Sequence, residues 1–120
     1  MGKWVILIGD RNLTIDRFQN MKFVGNIKIV KDEHYIDVFY ENGYAHFCDD
    51  ADNYLIEDYD PSEIEKLPFR DIKMIMLKYS DTQILKDILG EDDFPKDVVV
   101  DCDGLDFGLD EIIGQSRLLL

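Results

Sequence analysis

Apolar positions in this chain fall into short blocks, and most blocks show the two-residue period of strands rather than the longer period of helices. Trp4-Val5-Ile6-Leu7-Ile8 is a continuous apolar run ended by Gly9-Asp10, which predicts a strand buried on both faces. Residues 23–30, 35–40 and 44–48 alternate instead, and predict an antiparallel meander. Asn42-Gly43 stands between the last two, and Asn-Gly suits the two positive φ angles of a type I′ turn. A two-residue loop there would set Tyr40 opposite Ala45, Phe39 opposite His46, Val38 opposite Phe47 and Asp37 opposite Cys48. Opposed residues share a face. Ile36, Val38, Tyr40, Ala45 and Phe47 are therefore expected in the core, and Asp37, Phe39, Glu41, Tyr44, His46 and Cys48 outside it.

Helical signals are shorter. Leu13, Ile15 and Phe18 suggest a brief helix over 13–20, and Asp60-Pro61 reads as an N-cap and first helical residue of another reaching Leu67. After an apolar strand over 72–79, Ser80-Asp81-Thr82-Gln83 has the capping-box pattern before Ile84, Leu85, Ile88 and Leu89, with Gly90 as the stop. Residues 98–100 predict a last strand, and 109–119 a helix packing Ile112, Ile113 and Leu118. At 120 residues and 46% apolar content, the chain is long enough to bury a core in one domain spanning 1–120. The expected fold is α+β: an antiparallel or mixed sheet of five to six strands with a central Asn-Gly hairpin. Three to four short helices are expected mostly on one face.

Charge changes the picture. Residues 32–65 carry twelve carboxylates and no Lys or Arg, whereas residues 1–31 sum to +4, within a net charge of −13. Such self-repulsion points to basic partners or cations, because solubility alone would be met by scattered charge. Direct nucleic-acid binding is disfavoured, since no basic patch is available to displace counterions. The apolar run at residues 4–8 is far too short for a membrane span, so no membrane association and a cytoplasmic location are expected. Cys48 and Cys102 are then expected to be reduced thiols.

Sequence motifs yield little chemistry. Val98-Val99-Val100-Asp101-Cys102-Asp103-Gly104 resembles the first motif of haloacid dehalogenase-type phosphatases, which would make Asp101 a nucleophile and Asp103 a general acid beside Mg²⁺. Leu105 replaces that motif's Thr and only sixteen residues follow Gly104, so both aspartates are expected to be structural or solvated. Calcium loops starting at Asp50 or Asp101 lack the required glycine and glutamate. A zinc site from His34, His46, Cys48 and Cys102 fails on strand parity, because His34 has the opposite parity to the other hairpin residues. Ser62, Ser80 and Ser116 have no histidine nearby in sequence.

In size, charge and lack of catalytic motifs the whole chain resembles the small acidic immunity proteins with which bacteria neutralise toxins. That resemblance implies a non-catalytic, inhibitory protein without cofactors that binds a basic protein, such as a toxin or nuclease, or mimics nucleic acid. The expected partner surface has Asp49, Asp50, Asp52, Glu57 and Asp58 as a charged rim and Tyr54 and Tyr59 as aromatic anchors. The alternatives are a small enzyme or metal-binding domain using clustered carboxylates, and a housekeeping domain without a dedicated ligand.

Overall fold

The apolar run becomes β1 (Lys3–Gly9), with Val5 and Leu7 buried on one face and Ile6 and Ile8 on the other. A strand buried on both sides must lie inside a sheet that is covered on both sides. The computed structural model describes residues 3–50, 54–57, 59–65, 67, 69–95, 97–101 and 117–119. In it, β1 lies between β5 (Lys73–Tyr79) and β6 (Val99–Asp101). Across the sheet the order is β2 (Asn26–Lys31), β3 (Tyr35–Tyr40), β4 (Gly43–Asp49), β5, β1, β6 and β7 (Arg117–Leu119). The six strands from β2 to β6 pair antiparallel, and β7 joins β6 in parallel. The fold is α+β. The parallel edge strand makes the sheet mixed and takes it beyond the five to six strands expected.

The helices are α1 (Ile15–Gln19), α3 (Pro61–Glu65) and α4 (Thr82–Leu89), with α2 (Tyr54–Glu57) a single turn. They do not gather on one face. Ile15 and Phe18 of α1 and Ile84, Leu85, Ile88 and Leu89 of α4 join Val5, Leu7, Ile36, Val38, Phe47 and Leu77 in the main core. Leu55 and Ile56 of α2 and Ile64 of α3 pack on Ile6, Ile8, Met74 and Val99 across the sheet. The reason is that β1 and β5 are apolar at both parities, so their second face also needs a cover. No described helix is long and apolar enough to cross a membrane.

The hairpin departs from its expected register. Tyr40 pairs with Gly43, Phe39 with Tyr44, Val38 with Ala45, Asp37 with His46 and Ile36 with Phe47. The loop is thus Glu41-Asn42, and Gly43 belongs to β4. Neither Asn42 nor Gly43 has a positive φ. The slip is two residues, which preserves parity. Ile36, Val38, Ala45 and Phe47 are fully buried and Tyr40 packs on the main core, while His46 lies on the other face.

Three element ends also differ from those expected. β2 starts at Asn26 rather than at 23, because Phe23 (φ 48°) and Gly25 (φ 89°) turn the chain through the left-handed region. Phe23 tolerates this strain with its ring fully buried, 5.6 Å from that of Phe47. Residues 117–119 form β7 rather than the end of a helix over 109–119, since pairing with β6 outweighs local helical spacing. The remainder of that expected helix, with Cys102 and Asp103, lies outside the described residues. At α4 the N-cap is Asp81, whose carboxylate accepts from the Gln83 N–H at 2.7 Å. Ser80 is instead used by β4, its Oγ accepting from the Tyr44 N–H at 2.9 Å.

The turn after α4 holds the strained 22–25 segment. Asp93 Oδ2 accepts from the Lys22 N–H at 3.0 Å. Glu91 lies nearby, and its Oε1 is buried without a close hydrogen-bond partner. Burial raises the Glu91 carboxyl above the usual range; the backbone of Val24 and Phe23 opposes this, and Asp93 and Asp87 add to it. Such a group contributes stability in acid, below its unfolded value, which is lost as pH rises through the folded value. Glu91→Gln has no proton to lose. Its urea midpoint is expected to exceed that of the wild type at pH 7, with the gap shrinking at pH 4; an equal gap at both would refute the assignment. Comparing the two chains cancels Asp97, whose carboxyl is held low by the Arg17 guanidinium through contacts of 2.8 and 3.2 Å.

Candidate functional site

The cover formed by α2 and α3 reaches only part of the second sheet face. Beyond it, alternation brings the outward residues of four strands together in rungs. One rung runs Asp37, His46, Lys78 and Trp4 across β3, β4, β5 and β1. A second sets Tyr35 opposite Cys48, with Met76 and Ile6 beyond, and a third sets Phe39 opposite Tyr44. Trp4, Phe39 and Tyr44 remain 45%, 39% and 38% exposed. Large aromatic side chains left at a surface together mark contact sites more often than scattered apolar residues do.

His46 is tied down within this face. Its Nδ1 makes a close hydrogen bond with Asp37 Oδ1, and the Tyr35 ring stacks on it with centroids 5.8 Å apart. Cys48 is a half-buried free thiol with Sγ 3.6 Å from the Asp49 carbonyl. Among the described residues, no three His, Cys, Asp or Glu side chains gather in a way that could hold a metal ion. His34 lies in the turn before β3, where its carbonyl accepts from the Asp49 N–H at 2.8 Å.

That closure assembles an acidic end to the hairpin. His34 Nδ1 is 3.5 Å from Asp49 Oδ2, and its Nε2 is 4.0 Å from Glu33 Oε2. Asp32 begins the same turn, its N–H donating to the Tyr35 carbonyl at 2.9 Å. Asp50 follows Asp49, and its Oδ2 accepts from the Leu55 N–H at 3.0 Å, which fixes the entry to α2. Asp49 therefore shares His34 with Glu33 and Asp32, two acids that were not expected in the rim, while the Asp50 carboxylate is turned to α2.

The other expected site residues are placed differently. Glu57 is exposed at the end of α2, and Tyr54 opens that turn. Tyr59 is half-buried against the second core cluster, where it supports packing rather than facing outward. Asp52 and Asp58 lie outside the described residues. Trp4, Phe39 and Lys78 were not among the expected site residues, although Phe39 was expected outside the core. The available signal was a lysine interrupting the apolar run of β5 and an aromatic residue at the outer parity of each neighbouring strand. Lys3, Trp4, Tyr44, Met76 and Lys78 together line an open groove of about 480 Å³. Compared with protein-family models, curated proteins and solved structures, the chain matches none of them.

Proposed function

We propose that the protein is a non-catalytic, cytoplasmic interaction module that docks a basic protein partner through the β3–β4 hairpin and its acidic open end. The observation that carries this reading is that one hairpin bears an exposed aromatic pair beside its turn and an acidic cluster at its open end. Phe39 and Tyr44 face each other in the open, and at the far end of the same hairpin Glu33 and Asp49 flank the His34 ring, Asp32 accepts from the His34 N–H and Asp50 follows Asp49 in the chain. Carboxylates at the edge of a contact steer a cationic partner and accelerate encounter, while aromatic side chains at its centre hold the complex together. An inhibitory role like that of immunity proteins would use the surface in this way. If the partner is a nuclease, these carboxylates would stand where substrate phosphates otherwise lie.

Surface-immobilised wild type should retain a basic protein from cell extract whose association slows by about tenfold between low and physiological salt. Asp32→Asn/Asp49→Asn/Asp50→Asn should slow association and flatten that dependence, since Asn still caps α2 at position 50. Phe39→Ser should instead speed dissociation, costing about 2 kcal/mol if Phe39 is an anchor. Association indifferent to both salt and the triple substitution would refute the docking surface.

A further inference from the structure

β2 is an edge strand of the sheet, and the turn that starts it is held by a distant part of the chain. Phe23 (φ 48°) and Gly25 (φ 89°) take the backbone through the left-handed region, and Asn26 Nδ2 closes the turn on the Phe23 carbonyl at 2.8 Å. Opposite, the chain leaves α4 in a second turn, where the Phe94 N–H donates to the Glu91 carbonyl at 3.1 Å. Two carboxylates of that turn reach the first: Asp93 Oδ2 accepts from the Lys22 N–H, and Glu91 lies against the Phe23 and Val24 backbone. They differ in surroundings. Asp93 is exposed, whereas Glu91 Oε1 is buried without a close hydrogen-bond partner. Facing Glu91 are the Asp87 carboxylate of α4, Asp93 in its own turn and the Tyr40 phenol of β3, which burial, Glu91 and Asp87 push up and keep neutral. None of these three groups supplies a positive charge.

We propose that these two turns form a pH-sensitive clasp on the start of β2, closed while the Glu91 carboxyl carries its proton and opening locally as that proton is lost. Protonated, the carboxyl is a neutral group that the closed clasp can hold. Ionised, it is a charge with one oxygen cut off from water and two carboxylates nearby, and opening hydrates it. The same motion releases the left-handed strain at Phe23. Against it stands the Phe23 ring, fully buried on Phe47, which keeps the open form a minority. Burial raises the Glu91 carboxyl in the closed form, so that form binds the proton more tightly than the open one. Its advantage is complete below the open-state value and is lost as pH rises through the closed-state value. Opening would bring Phe23 out beside Val24 and Ile27, already 72% and 68% exposed, and enlarge an apolar patch at the free edge of the sheet. The clasp lies apart from the acidic end of the β3–β4 hairpin and does not rest on the docking reading.

A urea midpoint reports on the whole molecule, whereas amide hydrogen exchange, corrected for the intrinsic rate at each pH, shows which part opens. The Lys22, Asn26 and Phe94 amides are expected to exchange faster than those of the central strands β1 and β5. Their exchange should also respond little to urea below the unfolding transition, because a local opening exposes little surface. Between pH 4 and pH 7 they should lose protection by about tenfold for each pH unit by which the carboxyl is raised in the closed form. Glu91→Gln should abolish that response. Asp93→Asn keeps an acceptor for the Lys22 N–H but removes a neighbouring charge, and should shrink it. Clasp amides that exchange only through global unfolding, or a pH response that survives Glu91→Gln, would overturn the clasp. If Glu91→Gln does not fold, a response left unchanged by Asp93→Asn decides against it.

Discussion

Phe47→Ala is expected to lower folding stability by about 3–5 kcal/mol, a large share of the roughly 5–15 kcal/mol that holds a domain folded. Phe47 is the hub of the main core. Its ring centroid lies 5.0 Å from that of Phe18 and 5.6 Å from that of Phe23, and Phe18 reaches on to Phe94 at 6.1 Å. All four side chains are essentially inaccessible, so truncation leaves a cavity bordered by α1, the strained 22–25 turn and the sheet. Phe39→Ala on the opposite face is expected to cost well under half as much, because that ring is already 39% exposed. Urea denaturation of the two variants measures the contrast. Equal losses would mean that the hairpin's faces are assigned wrongly; a small Phe39 loss makes that position suitable for testing binding without unfolding.

Gly43→Ala is expected to cost about 1–3 kcal/mol, and Gly43→Val more, through overpacking. A Cβ at position 43 would overlap Ser80 Oγ and come within 2.7 Å of Ile84 Cδ1. Ser80 cannot turn away freely, because its Oγ accepts from the Tyr44 N–H and its own N–H donates to the Tyr44 carbonyl at 3.1 Å. Ile84 is buried on α4. Glycine is therefore required here for closeness of approach rather than for a positive φ. A double-mutant cycle separates these causes. Ile84→Val removes the Cδ1 atom in the way, so Gly43→Ala/Ile84→Val should be less destabilised than the two single losses added together. Strict additivity would mean that Ile84 is not the obstacle, leaving Ser80 Oγ or the backbone as the cause.

Much of the fold was legible because strand parity is a local property. The alternation over 35–40 and 44–48 assigned every hairpin residue to its observed face, although the register was two residues out. An even slip leaves each side chain on its own face. The register itself was not legible. Asn-Gly is a strong local turn preference, yet Gly43 lies in β4 under the start of α4, and nothing near it in sequence announces that neighbour. Residues 117–119 teach the same lesson, since β6 supplies their hydrogen-bonding partners from far along the chain. The division of helices between two faces was implicit in the apolar runs of β1 and β5, but which helix went where depended on tertiary packing.

For the candidate site, composition alone established an acid-rich stretch over 32–65 and its lack of positive charge. Tertiary structure decided which of those acids meet. Closing β3 on β4 set Glu33 and Asp49 on either side of His34, while Asp50 was drawn into capping α2 and Tyr59 into the second core. The groove is still less local: Trp4, Tyr44 and Lys78 come from three strands, joined only because β5 inserts between β4 and β1. Residue type and parity fix what a side chain can do and which face it takes, because both act within a few bonds. Its neighbours depend on strand order, which is settled by the burial of the whole core.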